Sequence, residues 1–386
     1  MKRFTFAALA ALAALAACTK NEVTPLQSAP QQISLTPLNG KHSTKALIDT
    51  TAYSTSETFG TFAYFNANGT TFPASADVYI PESEVKYTTL ATSGSAWTTD
   101  PAYYWPKQGS LTFFSYSPYS INTSVDCDTT DGITITDWDV DANQEVDVMV
   151  ADYKTNQTKN GSYAGYTGVP TIFRHKLSQI VKFTFATKED YCGSRTEATA
   201  QLGDKFFYIN SVKINNIEYK GTYKSGNNVD GSATTPVLGS WTPTSDKKDY
   251  TWYENTTGTL FGYDTAKADA PCDITNKYIL VLPQTFTAPA DRTIDGYEKN
   301  EKNIQISYTI KTCTGVGPTA PSFSKEEVKD VYVTLYDVQY EATAAAVTNW
   351  EMNKKISYTI TIGLDQIYWA PSVDNWDNQD FSYTIE

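Results

Sequence analysis

Short stretches in which apolar and polar residues alternate recur along most of this chain, and they constrain its fold more than any other feature. Successive side chains of a β-strand point to opposite faces, so a period of two predicts strands that bury one face. No helical period of 3.6 residues is sustained after the N-terminal segment, and the chain is therefore predicted to be all-β, built from β-sandwiches. The alternating stretches are 33–35, 111–116, 146–150, 180–185, 212–214, 278–282, 304–308, 331–335 and 356–362.

The N-terminus has the features of an export signal. Lys2 and Arg3 precede an apolar run over residues 4–14, which is shorter than the roughly 20 residues that a membrane-spanning helix needs. Residues 1–17 are therefore predicted to be a signal peptide. Small residues directly before Cys18 resemble a lipobox, so Cys18 is predicted to carry acyl chains that anchor the protein in the outer membrane. The alternative is an ordinary cleavage site.

Length and composition predict two domains after a polar tether. Residues 18–31 are mostly polar and cannot bury enough surface to order themselves, so we expect a lipidated tether there. The remaining length is too great for one core, which predicts an N-terminal β-sandwich domain over 32–187 and a C-terminal one over 188–386. The polar stretch 188–203 marks the predicted junction, and the polar stretch 227–249 is predicted to be a surface loop.

Charge and cysteine content bound the partners. The formal net charge is −13, which argues against nucleic acid as a partner because nucleic acid requires a basic face. Four cysteines follow Cys18 at wide spacings and without a CxxC pair, so zinc-ribbon spacing is absent. These residues are Cys127, Cys192, Cys272 and Cys313. An exported protein permits one or two disulfides, and three full pairings remain open.

Catalytic and metal sites receive little support from the sequence. His42 and His175 are the only histidines, and no metalloprotease, serine-hydrolase or phosphate-loop motif is present. We therefore predict no enzyme activity and no cofactor, although two carboxylates would suffice for a glycosidase. The acidic run 137–141 resembles the start of a calcium loop. Ala142 and Val148 stand where that loop needs glycine and glutamate, which predicts a solvated acidic hairpin instead.

Three blocks of sequence carry a family resemblance through their order and spacing. The first spans residues 104–119 and includes Tyr-Trp-Pro and Phe-Phe-Ser-Tyr-Ser-Pro-Tyr. The second joins 146–151 to 173–177, and the third joins 282–284 to 350–362. Together they resemble the fimbrillin family of Bacteroidales, the subunits of type V pili. The resemblance runs from the lipobox to the C-terminus.

This resemblance implies a fold and a mode of assembly. It implies two transthyretin-like β-sandwich domains in tandem, exported as a lipoprotein to a cell-surface fimbria that supports adhesion. A protease then cuts the loop after the first strand, and a strand from another fimbrial subunit fills the groove that opens. Main-chain hydrogen bonds would supply the affinity and alternate side chains the register. Host or bacterial surface receptors are further expected partners.

The resemblance places the processing site near the N-terminus. The first strand would be 32–38, with Ile33 and Leu35 on one face, and the cut loop would be 39–45. Cleavage would fall between Lys45 and Ala46. The family commonly shows arginine where Lys45 stands, so an unprocessed anchor or accessory subunit remains the alternative.

The C-terminus is the predicted donor strand. Apolar side chains alternate with Ser382 and Thr384, so one row of them would enter pockets in a neighbouring subunit. These donor residues are Phe381, Tyr383 and Ile385.

Clustered aromatic residues give a second functional hypothesis. Flat rings could stack on sugars, which would make the chain a surface glycan-binding lipoprotein that does not polymerise; the alternative is that they lie in the core or at its rim. The aromatic residues in question are Trp97, Tyr103, Tyr104, Trp105, Tyr368 and Trp369.

Overall fold

Strands dominate the protein. The computed structural model describes residues 30–40, 50–73, 76–90, 94–161, 166–226, 239–263, 272–274, 278–287, 301–336, 348–364 and 367–376. The only helices within these ranges are two short 3-10 helices, Tyr119–Ser124 and Glu197–Thr199. The all-β prediction is therefore confirmed. No helix among the residues that can be described is long and apolar enough to cross a membrane.

The first twelve strands run up to residue 187. They are β1 (Leu35–Gly40), β2 (Thr50–Ala52), β3 (Phe59–Asn66), β4 (Asp77–Leu90), β5 (Gly94–Asp100), β6 (Ser110–Ser117), β7 (Val125–Asp128), β8 (Gly132–Asp139), β9 (Met149–Ala151), β10 (Lys154–Gln157), β11 (Val169–His175) and β12 (Ser178–Thr187).

The remaining strands begin at residue 205. They are β13 (Lys205–Glu218), β14 (Lys220–Lys224), β15 (Ser240–Pro243), β16 (Lys247–Phe261), β17 (Cys272–Asp273), β18 (Ile279–Val281), β19 (Gln284–Thr285), β20 (Asn303–Val316), β21 (Pro321–Thr334), β22 (Asn349–Trp350), β23 (Lys354–Ile362) and β24 (Ile367–Asn375).

The N-terminal half is built on one nine-stranded sheet. Its order is β10-β6-β3-β4-β5-β1-β11-β9, and β2 pairs with β1. Because β9 also pairs with β6, the sheet closes on itself. Strands β3 and β6 are buried on both faces, since alternate residues enter two different apolar clusters. Phe59 and Phe113 enter one cluster, while Phe62 and Phe114 enter the other.

The C-terminal half has two main sheets that share one core. One sheet has the order β17-β12-β23-β24 with β18 on β12, and the other has the order β16-β13-β20-β21. Inward side chains of both sheets belong to a single cluster, including Phe183 of β12, Tyr358 of β23 and Phe207 of β13. This facing arrangement buries one side of each alternating strand, as the period of two requires.

Strand pairing crosses the predicted division at residue 188 in both directions. β12, which precedes it, runs parallel to β23 and pairs with β17 and β18. β14, which follows it, pairs with β8 in a sheet of order β15-β14-β8-β7. The division into two domains, and their tandem transthyretin-like form, stay predictions.

Candidate functional site

The residues predicted to act in anchoring, processing and donation lie outside the described part of the chain. They are Cys18, Lys45, Ala46, Phe381, Tyr383 and Ile385. The structure does place the predicted first strand, the element on which strand exchange would act. That strand spans Leu35–Gly40, and an isolated bridge between Gln32 and Tyr104 precedes it.

One edge of β1 pairs with β11 in parallel. The register runs from Leu35 opposite Val169 to Asn39 opposite Phe173. The backbone N–H of Val169 donates to the carbonyl of Ser34 at 2.9 Å, which fixes which residues of β1 face this edge. Because successive peptide groups of a strand point to opposite edges, the even-numbered residues of β1 direct their backbone groups toward β11.

The opposite edge of β1 begins in the segment that leads into it. The N–H of Trp105 donates to the carbonyl of Gln31, and the N–H of Ile33 donates to the carbonyl of Tyr103, both at 2.9 Å. β5 continues this edge at Trp97. The odd-numbered residues therefore face β5, and β1 is bonded along both of its edges.

β2 completes this second edge. Asn39 lies opposite Thr51 in an antiparallel register that covers the last three residues of β1. Pro37 lies between the residues that contact β5 and those that contact β2. Because it is odd-numbered, its nitrogen points toward this edge. Proline has no N–H to donate, so a central strand tolerates it where the edge has no ladder partner.

The inward side chains of this segment follow the predicted period of two. Ile33 is 0% exposed and Leu35 is 2% exposed, and both belong to the same apolar cluster, as predicted. Pro37 is also buried. Burial of an apolar side chain of this size contributes about 1.5–3 kcal/mol, so removing β1 would be costly. We call the space that β1 occupies between β5 and β11 the slot.

Four aromatic rings form the floor of that slot, and we call them the aromatic floor: Tyr53, Phe59, Trp97 and Phe173. They come from the end of β2, from β3, from β5 and from β11. Ring centroids lie 5.2 Å apart for Phe59 and Phe173, and 5.7 Å apart for Phe59 and Trp97. Tyr53 contacts the other three at 5.3 to 5.7 Å. Loss of β1 would open an apolar groove over this floor, which is the form that a strand-binding site takes.

Tyr53 combines this packing with a polar contact. Its hydroxyl lies 2.6 Å from the Ser117 hydroxyl, and the side chain is buried. Burial raises the pKa of the Tyr53 hydroxyl to about 12, so the group stays protonated and bonded at neutral pH. No local sequence pattern predicts this role, because the contact depends on residues far apart in the chain.

The proposed sugar platform is wrong for two of its aromatic residues. Trp97 and Trp105 are each 8% exposed and belong to the apolar cluster that also contains Ile33 and Leu35. They cannot stack on a ligand in solution. Tyr103 is half-buried, and Tyr104 is 45% exposed. The side chains of residues 368 and 369 lie outside the described set.

The cysteines and the acidic run show local structural roles. Cys127 and Cys313 carry buried free thiols, so neither takes part in a disulfide, and Cys192 is also buried. In the acidic run, Asp139 accepts a hydrogen bond from the N–H of Ala142 at 2.9 Å, and Asp141 pairs with Lys248. No group of three or more potential metal ligands was found among the described residues.

His175 lies at the junction of the two halves. Its Nδ1 is 2.6 Å from an Asp147 carboxylate oxygen, and its ring stacks on Trp376 with centroids 4.1 Å apart. The adjacent Lys176 is buried, which lowers the pKa of its ammonium group to about 7, and it lies 5.7 Å from the centre of the Tyr223 ring. The contacts with Trp376 and Tyr223 join the two halves, which indicates a structural role for His175.

Comparison with known families gives one match over most of the chain. The model of a family described as "Fimbrillin-like" matches residues 44–376. No curated protein sequence gives a significant match.

Comparison with solved structures identifies proteins of similar fold. A fimbrial protein from Bacteroides vulgatus is 14% identical with a TM-score of 0.55, and the match covers 90% of this chain and 100% of that one. The tip fimbrial protein Mfa3 from Porphyromonas gingivalis is 10% identical with a TM-score of 0.34, over 89% and 100% of the two chains. The fimbrial anchor protein Mfa2 from the same organism is 8% identical with a TM-score of 0.30, over 90% and 98%. The last two scores are too low to support any argument, and the first supports the fold.

Proposed function

Because this chain belongs to the fimbrillin-like family, we propose that it is a structural subunit of a cell-surface fimbria that assembles by strand exchange and supports adhesion. In this proposal the protein reaches the outer membrane as a lipoprotein anchored through Cys18. A protease then cuts after Lys45, β1 leaves its slot, and the C-terminal strand of another subunit replaces it.

The observation that carries this proposal is the position of β1. It is bonded along both edges, yet it precedes residue 44, where the family match begins, and is joined to the rest of the protein only through residues 41–49. A cut in that connection would leave β1 held by non-covalent contacts alone. The strand would then be replaceable by any segment that fills the same slot.

Spacing supports the C-terminus as the replacement. Three buried side chains of the β1 segment, Ile33, Leu35 and Pro37, lie two residues apart along one face. The proposed donor has the same spacing, because Phe381, Tyr383 and Ile385 are separated by Ser382 and Thr384. A donor with this pattern places three apolar side chains over the aromatic floor while its backbone pairs with β11 and β5.

Cleavage at Lys45 would also release the subunit from its lipid anchor. Cys18 precedes β1 in the sequence, so a cut after Lys45 would separate the anchor from the body of the subunit together with β1. Anchoring and slot occupancy would therefore end in one step, and a subunit would become free to polymerise only when its slot opens.

Limited proteolysis tests this proposal. Mature protein without the acylated cysteine is treated with a small amount of trypsin and analysed by electrophoresis in SDS without boiling. We expect a ladder of resistant oligomers to grow as the fragment that begins at Ala46 accumulates. A Lys45→Gln variant is the control and should give no ladder. Efficient cleavage after Lys45 with no oligomers, or an equal ladder from the control, would contradict strand exchange.

A further inference from the structure

β2 has an unusual position beside the slot. Among the described strands its only ladder partner is β1, to which it contributes three paired residues. It follows the proposed cut in sequence and therefore stays with the body of the subunit when β1 departs. A short strand with one partner loses all of its ladder hydrogen bonds when that partner leaves.

The geometry of β1 identifies which residue of β2 forms those hydrogen bonds. The backbone groups of Ser34 point toward β11 and those of Ile33 point toward the opposite edge, and this direction alternates along the strand. Asn39 is odd-numbered like Ile33, so it directs both its N–H and its carbonyl toward β2. Asn39 and Thr51 are therefore the hydrogen-bonded pair of this ladder. Thr50 lies opposite Gly40, whose backbone faces β11, and the backbone groups of Thr50 point away from β1.

Tyr53 holds the end of β2 beside the slot. It directly follows the strand, and its ring contacts three members of the aromatic floor that belong to β3, β5 and β11. Its hydroxyl adds the contact with Ser117 of β6. None of these contacts depends on β1, so this end of β2 has support that outlasts β1.

We propose that β2 is a clamp strand that pairs, through Thr51, with whichever extended segment occupies the slot. Before processing the occupant is β1, and afterwards it is the donor strand of a second copy of this chain. This inference rests on the proposed function for the identity of the second occupant. Cleavage frees β2 on the side of residue 46, while Tyr53 keeps the strand within reach of the slot.

A matched pair of proline variants tests the clamp. Thr51→Pro removes the N–H that faces the slot, whereas Thr50→Pro makes the same substitution where the N–H faces away. Both are made in mature protein with a rare-cutting protease site at residues 43–46 and a fluorophore in the tether. After cutting, the labelled segment is chased with excess unlabelled peptide of residues 30–45, and its dissociation rate is measured.

We expect Thr51→Pro to accelerate dissociation roughly fivefold, the effect of one lost hydrogen bond, and Thr50→Pro to leave the rate unchanged. Thermal unfolding of both variants before cutting shows that each has folded, since the covalent link then keeps β1 in place. Equal dissociation rates for the two variants would overturn the clamp.

A second chase with a peptide of residues 377–386 separates this inference from the proposed function. If that peptide fails to enter the slot while the 30–45 peptide exchanges, the donor assignment is wrong. The difference between the two proline variants would still stand, because it is measured on β1 itself.

Discussion

Replacing Phe59 by alanine is expected to lower the free energy of unfolding by about 3–5 kcal/mol and to weaken the hold of the slot on β1. Phe59 is 0% exposed and contacts three other rings of the aromatic floor. Truncation would leave a cavity under β1, because neighbouring rings from three separate segments of the chain cannot all move inward to fill it. Denaturant unfolding of the uncut protein measures the first effect.

A buried phenylalanine in the C-terminal half distinguishes a weakened hold on β1 from a general loss of stability. Phe207 is 1% exposed in the core of the C-terminal half, so Phe207→Ala should lower stability by a similar amount. In protein cut between β1 and β2, dissociation of labelled β1 should be faster in Phe59→Ala and unchanged in Phe207→Ala. Equal rates in the two variants would show that the aromatic floor does not hold β1.

The sequence predicted the strands because side-chain alternation is a local property. Ile33 and Leu35 were predicted to share a face, and both are buried in one cluster. Alternation does not report which strands are neighbours. β1 pairs in parallel with β11, which begins at Val169, and nothing near either strand in sequence encodes that contact.

Strands with two buried faces show a weaker alternation of apolar and polar residues. β6 reads as an imperfect alternation, Leu-Thr-Phe-Phe-Ser-Tyr, because each face enters a different apolar cluster and both accept large rings. The polar stretch 227–249 was predicted to be a loop, yet β15 and the start of β16 lie within it. Their polar side chains are exposed at sheet edges, where composition resembles that of a loop.

The residues with proposed functions also fall into two groups, those that local sequence patterns indicate and those that only the fold identifies. A lipobox, a basic residue after a first strand and an alternating C-terminus are short local patterns, so sequence could propose each of them. Tyr53 and Thr51 depend on geometry instead, because their roles come from the strand beside which they lie. Local patterns can therefore identify the segments that exchange, while the surface that receives them requires the fold.

Placing an aspartate on the slot-facing side of the donor is expected to abolish assembly, whereas placing one on the other side is not. Tyr383 lies at the centre of the proposed apolar row, so Tyr383→Asp would bring a carboxylate over the aromatic floor, whose rings belong to an apolar cluster. Burying an unpaired charge there costs several kcal/mol, which offsets most of the burial energy that Phe381 and Ile385 would contribute.

Thr384→Asp is the matched control, because successive side chains of a strand point to opposite faces and this aspartate would stay in water. Deletion of residues 381–386 should reproduce the loss seen with Tyr383→Asp. All three proteins are cut after Lys45 and compared by SDS-resistant ladders, and thermal unfolding of the uncut forms tests whether each monomer is intact. Ladders that survive both the deletion and Tyr383→Asp would remove the C-terminus as the donor and direct the search to another exposed strand. Loss of assembly in Thr384→Asp as well would mean that the donor binds with both faces covered, which the single row of apolar residues does not predict.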